Sequence, residues 1–106
     1  MTEYYLPIRT YSLTNARLHW AVKAKRAKAE RKAAVLVGRH KVPCTVTMTR
    51  IAPRVLDDDN LRGALKSTRD SIADRLGVDD RDPRVTWEYA QERGAVGEYA
   101  VRVAVK

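Results

Sequence analysis

The sequence contains no phenylalanine, so any core must be filled by aliphatic side chains, two tryptophans and five tyrosines. It has a single cysteine, Cys44, which excludes an internal disulfide. Nothing in it calls for an oxidising compartment, and a thiol in a strand-like run behaves as a small hydrophobe. No apolar run approaches the roughly 20 residues of a membrane span. Met1 to Arg9 is polar and aromatic, without the apolar stretch of a secretion signal. A cytoplasmic protein with no membrane contact is the expectation. There is no glycine-rich phosphate loop, and His19 and His40 lack the companions of a zinc site. Ser12, Ser67 and Ser71 lack the neighbours of a nucleophile triad.

Acidic residues are nearly missing from the first half. Residues 1–50 carry 11 Lys/Arg against Glu3 and Glu30, a net of +9; residues 51–106 carry 10 against 11 acids, a net of −1, which together give the chain's +8. A basic half joined to an Asp-rich half points to a polyanionic partner and a separate acidic site.

What is present fits one domain over 1–106, with no repeat or linker. Tyr4 to Arg9 reads as a short edge strand cut by Pro7. Ala16 to Val37 is rich in Ala, Lys and Arg and predicts a helix, with Leu18, Val22, Ala29, Ala33 and Leu36 on its apolar stripe and Gly38 as its stop. Val42 to Ile51 alternates, with Val42, Cys44, Val46 and Met48 on the buried side. Leu61 to Leu76 predicts a second helix, capped by Asn60 and closed by Gly77. Arg84 to Gln91 and Glu98 to Lys106 read as a hairpin around Gly94 and Gly97. The expected fold is α+β, a small mixed β-sheet with two packed helices in the order β-α-β-α-β-β.

The informative stretch is Asp57-Asp58-Asp59-Asn60-Leu61, followed by Asp79-Asp80. One reading is a capped helix start and an ordinary turn. The other treats the residues before the helix as extended, so that Asp57 and Asp59 point to one side. Two such carboxylates and a third from Asp80 suit Mg²⁺, which takes oxygen ligands and keeps several waters. Asp80 follows a helix of about 16 residues, which alone would leave it about 24 Å away. The returning chain, or a second protomer, must bring it back.

Asp57-x-Asp59-Asn60-Leu61, a helix carrying a lysine, and then Asp79-Asp80 before a strand resemble the active-site signature of the RusA-type Holliday junction resolvases. More loosely, Asn15-Ala16-Arg17-Leu18-His19-Trp20 and the basic helix resemble the DNA-contacting region of phage homologues. The resemblance implies a dimeric, Mg²⁺-dependent endodeoxyribonuclease of a bacterial cytosol or a phage, with Mn²⁺ as an alternative ion. Its substrate would be branched DNA, above all the four-way junction. Asp57, Asp59 and Asp80 would be the catalytic and metal-binding carboxylates. The family lysine falls at Gly63; Lys66, one turn on, shares that helix face with Asp70 and is the candidate replacement. Asn15, Arg17, Lys23, Lys25, Arg26 and Lys28 are the candidate DNA contacts. Trp20 suits the core, a dimer interface or an unpaired base. The rival readings are a non-catalytic basic nucleic-acid-binding protein of phage origin and a phage protein that docks an acidic partner.

Overall fold

The computed structural model describes residues 1–10 and 20–106, with the backbone alone for 20–23, 26, 27 and 30. The chain runs β1 (Thr2–Leu6), α1 (Trp20–Ala34), β2 (Cys44–Ala52), α2 (Asp58–Ala64), α3 (Lys66–Leu76), β3 (Val85–Arg93) and β4 (Ala100–Val105). The four strands form one mixed sheet in the order β1-β4-β2-β3. Thus the fold is α+β, as the sequence implies.

Strand β2 carries the clearest pattern. Cys44, Val46, Met48 and Arg50 are buried, and Thr45, Thr47 and Thr49 between them are half-buried. Burial pushes the Cys44 thiol pKa up. Pairing extends the buried face across the sheet in rows. Val46 lies beside Val105 and Trp87, Met48 beside Val103 and Tyr89, and Arg50 beside Val101 and Gln91. Apolar residues fill the first two rows, whereas the third is polar at Arg50 and Gln91. Arg50, only 7% exposed, donates to Thr10 Oγ1 at 3.1 Å and to the Arg54 carbonyl at 2.8 Å. Among the described residues it has no carboxylate partner, and burial lowers its pKa.

The expected hairpin between the last two strands does not form. β3 pairs parallel with β2 as an edge strand, and β4 inserts antiparallel between β1 and β2. Composition explains the choice. Ala100, Val101, Val103 and Val105 are all buried and suit a central strand, whereas Thr86, Glu88, Glu92 and Arg93 suit an edge.

The helices differ from expectation in three places. Within its described residues α1 ends at Ala34, and Leu36 of the expected stripe is exposed while Ala34 and Val37 are buried. Leu18 lies outside the described residues. The second helix starts one turn early, at Asp58, with Asp57 rather than Asn60 as its cap. It is also interrupted at Leu65, which separates α2 from α3. Leu65 is fully buried and joins Leu61 and Ile72 in the core with Val37, Val46, Met48, Val101 and Val103. Gly77 closes α3 in a left-handed conformation (φ 74°). Its N–H meets the Asp74 carbonyl and the Val78 N–H the Ala73 carbonyl, each at 3.1 Å, the closure for which glycine is suited.

Candidate active site

The three consecutive aspartates are built into a helix start. Asp57 Oδ1 accepts the Asn60 N–H at 2.9 Å, and its Oδ2 accepts Asn60 Nδ2 at 3.0 Å. Asp58 pairs with Arg62 at 3.1 Å, and all three carboxylates are exposed. Asp57, the cap, keeps the expected extended backbone, whereas Asp58 and Asp59 lie in the helix. Residues in a helical turn step round the axis by about 100°, so the pleat that would have pointed Asp57 and Asp59 to one side is not there. The lead-in is held firmly: the Leu56 N–H donates to Gln91 Oε1 at 2.9 Å, and Gln91 Nε2 donates to the Leu56 carbonyl at 2.6 Å.

Asp80, by contrast, returns to the helix within the same chain. Arg69 does this work. Its Nη2 donates to the Asp80 carbonyl at 2.6 Å, its Nη1 to Tyr89 Oη at 2.8 Å, and its guanidinium lies 4.9 Å from the centre of the Trp87 ring. Trp87 and Tyr89, two residues apart on β3, belong to the buried face and form the rail for this fork. The turn is fixed from its own side as well. Asp79 Oδ1 accepts the Arg81 N–H at 2.9 Å, the main reason its carboxyl lies below the usual range. Arg84, paired with Asp82 at 2.7 Å, pulls the Asp82 carboxyl down to about 2.

Asp80 therefore faces Lys66 and Asp70 in a cavity of about 450 Å³, whose lining also includes Asp74, Asp79 and Arg81. Burial, reinforced by the Asp80 charge, raises the Asp70 pKa, and Lys66 and Arg69 oppose the rise. A second cavity of about 370 Å³ shares Lys66, Asp80 and Arg81 and adds Arg62, Gly63, Arg69 and Tyr89.

Of the residues singled out in the sequence, the structure brings Lys66 and Asp80 together. Asp57 and Asp59 line neither cavity. Among the described residues no three carboxylate, imidazole or thiol groups are arranged to hold a metal ion. The expected set of Asp57, Asp59 and Asp80 is therefore not assembled, whereas the chemistry of the Asp70–Asp80 pair fits an ion that binds one or two carboxylates and waters. Asp70 is the residue that sequence reasoning missed. It shares the Gly63 face with Lys66, but at four residues' spacing it reads as an ion-pair partner.

Among the expected DNA contacts, Lys25 and Lys28 are exposed on α1. Lys23 and Arg26 are placed by backbone only, and Asn15, Arg17 and His19 lie outside the described residues, as does the side chain of Trp20. His40 is structural: its Nε2 lies 2.7 Å from the Tyr4 hydroxyl. Among the described residues no helix is long and apolar enough to cross a membrane.

No protein-family model matches the chain. Over 82 residues it is 35% identical to an uncharacterized protein of Xylella fastidiosa, a match covering 63% of this chain and 52% of that protein. The chain thus spans about half the length of this relative.

Proposed function

We propose that the protein is a Mg²⁺-dependent endonuclease of branched DNA, of the RusA type, reacting in the cavity shared by Lys66, Asp70 and Asp80. The observation that carries this reading is the return of Asp80 onto α3, which sets a carboxylate pair beside a free-ended lysine and a cluster of arginines. A carboxylate pair holds a hard cation, and cationic side chains hold the phosphodiester it acts on.

In this reading Asp70 and Asp80 hold the ion. When bound, Mg²⁺ supplies an acidified water and neutralises phosphate charge. The protein's own groups do the positioning. Arg69 fixes the Asp80 backbone, and Lys66 presents an ammonium to the charge that develops on the phosphate or leaving oxygen. Asp70 keeps its proton to higher pH than an ordinary aspartate, so protons compete with the ion for it and occupancy strengthens as pH rises through its titration. The resemblance assigns Asp57 and Asp59 to the same ion; the geometry favours Asp70 instead. Paired nicks across a two-fold junction call for a symmetric dimer.

The test is cleavage of a synthetic four-way junction with Mg²⁺ or EDTA. Asp80→Asn should abolish metal-dependent nicking and leave junction binding nearly intact. Undiminished nicking by the folded variant refutes the assignment. One observation favours a non-catalytic DNA-binding protein instead: Asp57 and Asp58 serve a helix cap and an ion pair. Salt-dependent junction binding without nicking by the native protein would establish that alternative.

A further inference from the structure

Resting on the nuclease reading, the geometry points to a separate phosphate-ester subsite in the 370 Å³ cavity, which shares Lys66, Asp80 and Arg81 with the aspartate-lined one. We infer that it takes a phosphate group of the nucleic-acid strand and is built for that anion before any metal arrives.

The two cavities share Lys66, Asp80 and Arg81 and differ in the charge of the rest of their lining. The first adds Asp70, Asp74 and Asp79. The second adds Arg62 and Arg69, so that four cations stand there against Asp80 as the one carboxylate. Two of the four cations are fixed from behind. Arg62 lies 4.8 Å over the Tyr89 ring and pairs with Asp58, and Arg69 is forked between Tyr89 and Asp80. The other two, Lys66 and Arg81, act on Asp70 and Asp79 at longer range, but among the described residues their side chains make no hydrogen bond or close ion pair. Fixed guanidinia beside free cations form a preorganised oxyanion receptor, in which little side-chain freedom remains to be lost on binding. Gly63 in the lining leaves backbone, without a side chain, at the cavity surface. A phosphate seated here shares Lys66, Asp80 and Arg81 with the cavity that holds Asp70.

The subsite is tested on the full chain in EDTA, which removes metal-dependent chemistry from the readout. Inorganic phosphate, thymidine 3′,5′-bisphosphate and a thymidine trinucleotide without terminal phosphates are titrated by calorimetry and by amide NMR. The expected result is saturable binding of at least one of them, with shifts centred on Gly63, Arg81 and Tyr89. Arg81→Gln should weaken that binding about 10-fold or more, the scale of a charge-assisted hydrogen bond, and Arg81→Lys should recover part of it. The exposed Arg39, outside the cavity, should be replaceable by Gln without effect. Binding of the bisphosphate alone identifies a strand end, and binding of the trinucleotide identifies an internal phosphodiester. The inference is overturned if none of the three binds, if the shifts lie elsewhere, or if Arg81→Gln binds as the native protein does. Intact phosphate binding with no junction cleavage defeats the nuclease reading and leaves the subsite standing.

Discussion

Replacing Arg69 with lysine keeps the positive charge beside Asp70 and removes only the fork. Lysine can retain one of the two hydrogen bonds, to Tyr89 or to the Asp80 carbonyl, because its single ammonium cannot reproduce the planar spread of a guanidinium. The bond whose loss frees the turn is the 2.6 Å one to Asp80. A hydrogen bond from a charged donor contributes about 1.5–3 kcal/mol. At roughly 4 °C per kcal/mol for a domain of this size, that lowers Tm by about 6–12 °C. The second consequence is local. If Asp80 stays beside Asp70 because Arg69 holds it, loosening the fork removes the second-ranked cause of the raised Asp70 pKa and leaves burial alone to sustain it. The Asp70 carboxyl, followed by carbon NMR, should then titrate at lower pH than in the native protein. Thermal unfolding and carboxyl titration of Arg69→Lys check both. A variant that melts within about 2 °C of the native protein, with Asp70 titrating unchanged, shows that the 79–84 turn places Asp80 unaided and refutes the clamp.

Three further outcomes follow from the same geometry. Asp57→Asn substitutes one strong N-cap for another, so Tm should hold within about 0.5 kcal/mol equivalent; normal junction cleavage would mark Asp57 as structural, and abolished cleavage at unchanged Tm would return it to the metal site. Asp70 has a folded pKa above its unfolded value, so it favours the fold below the unfolded pKa and loses that contribution as pH rises through the folded one. Asp70→Asn should therefore stabilise the protein near neutral pH, and not at pH well below the usual carboxylate range; urea unfolding at both pH values reads this. Neutralising Lys25 and Lys28 together should flatten the dependence of junction affinity on salt by about one counterion for each phosphate they neutralise in the native protein; an unchanged slope moves the DNA surface off α1.

How much was legible in the sequence differed by element. The alternation in β2 and the run of valines in β4 appear in the structure as read, because burial on one or both faces writes itself into side-chain type. Partner choice left no such mark. Gly94 and Gly97 permit a hairpin locally, and nothing in residues 85–93 announces a parallel neighbour 41 positions earlier, Cys44 beside Val85. The helix start was misplaced because the apolar stripe begins only at Leu61. The turn before it projects into water and carries Asp58, Asp59 and Asn60, which a periodicity argument treats as loop. The same error produced the extended aspartates. The motif singles out Lys66 and Asp80, which the fold brings into one cavity, but Asp70 required the fold. Its significance comes from what Arg69 brings against it from ten residues downstream.

The insertion of β4 between β1 and β2 also sets an order of events during synthesis. Among the described residues β1 has no strand partner other than residues 100–105, which reach it through the register Thr2 to Val105. While the ribosome is still adding those residues, Leu6 and the basic segment after it have no sheet to join, and the β2–β3 pair offers an open edge along β2. The nascent protein must therefore hold β1 and one edge of β2 unpaired until residues 100–105 emerge, and the pairing that completes the sheet joins residues 103 positions apart. Closure of that kind is slow and exposes unpaired edges to other chains. A ribosome stalled a few residues short of Ala100 would carry a chain without a finished sheet, however complete its candidate active site already was in sequence.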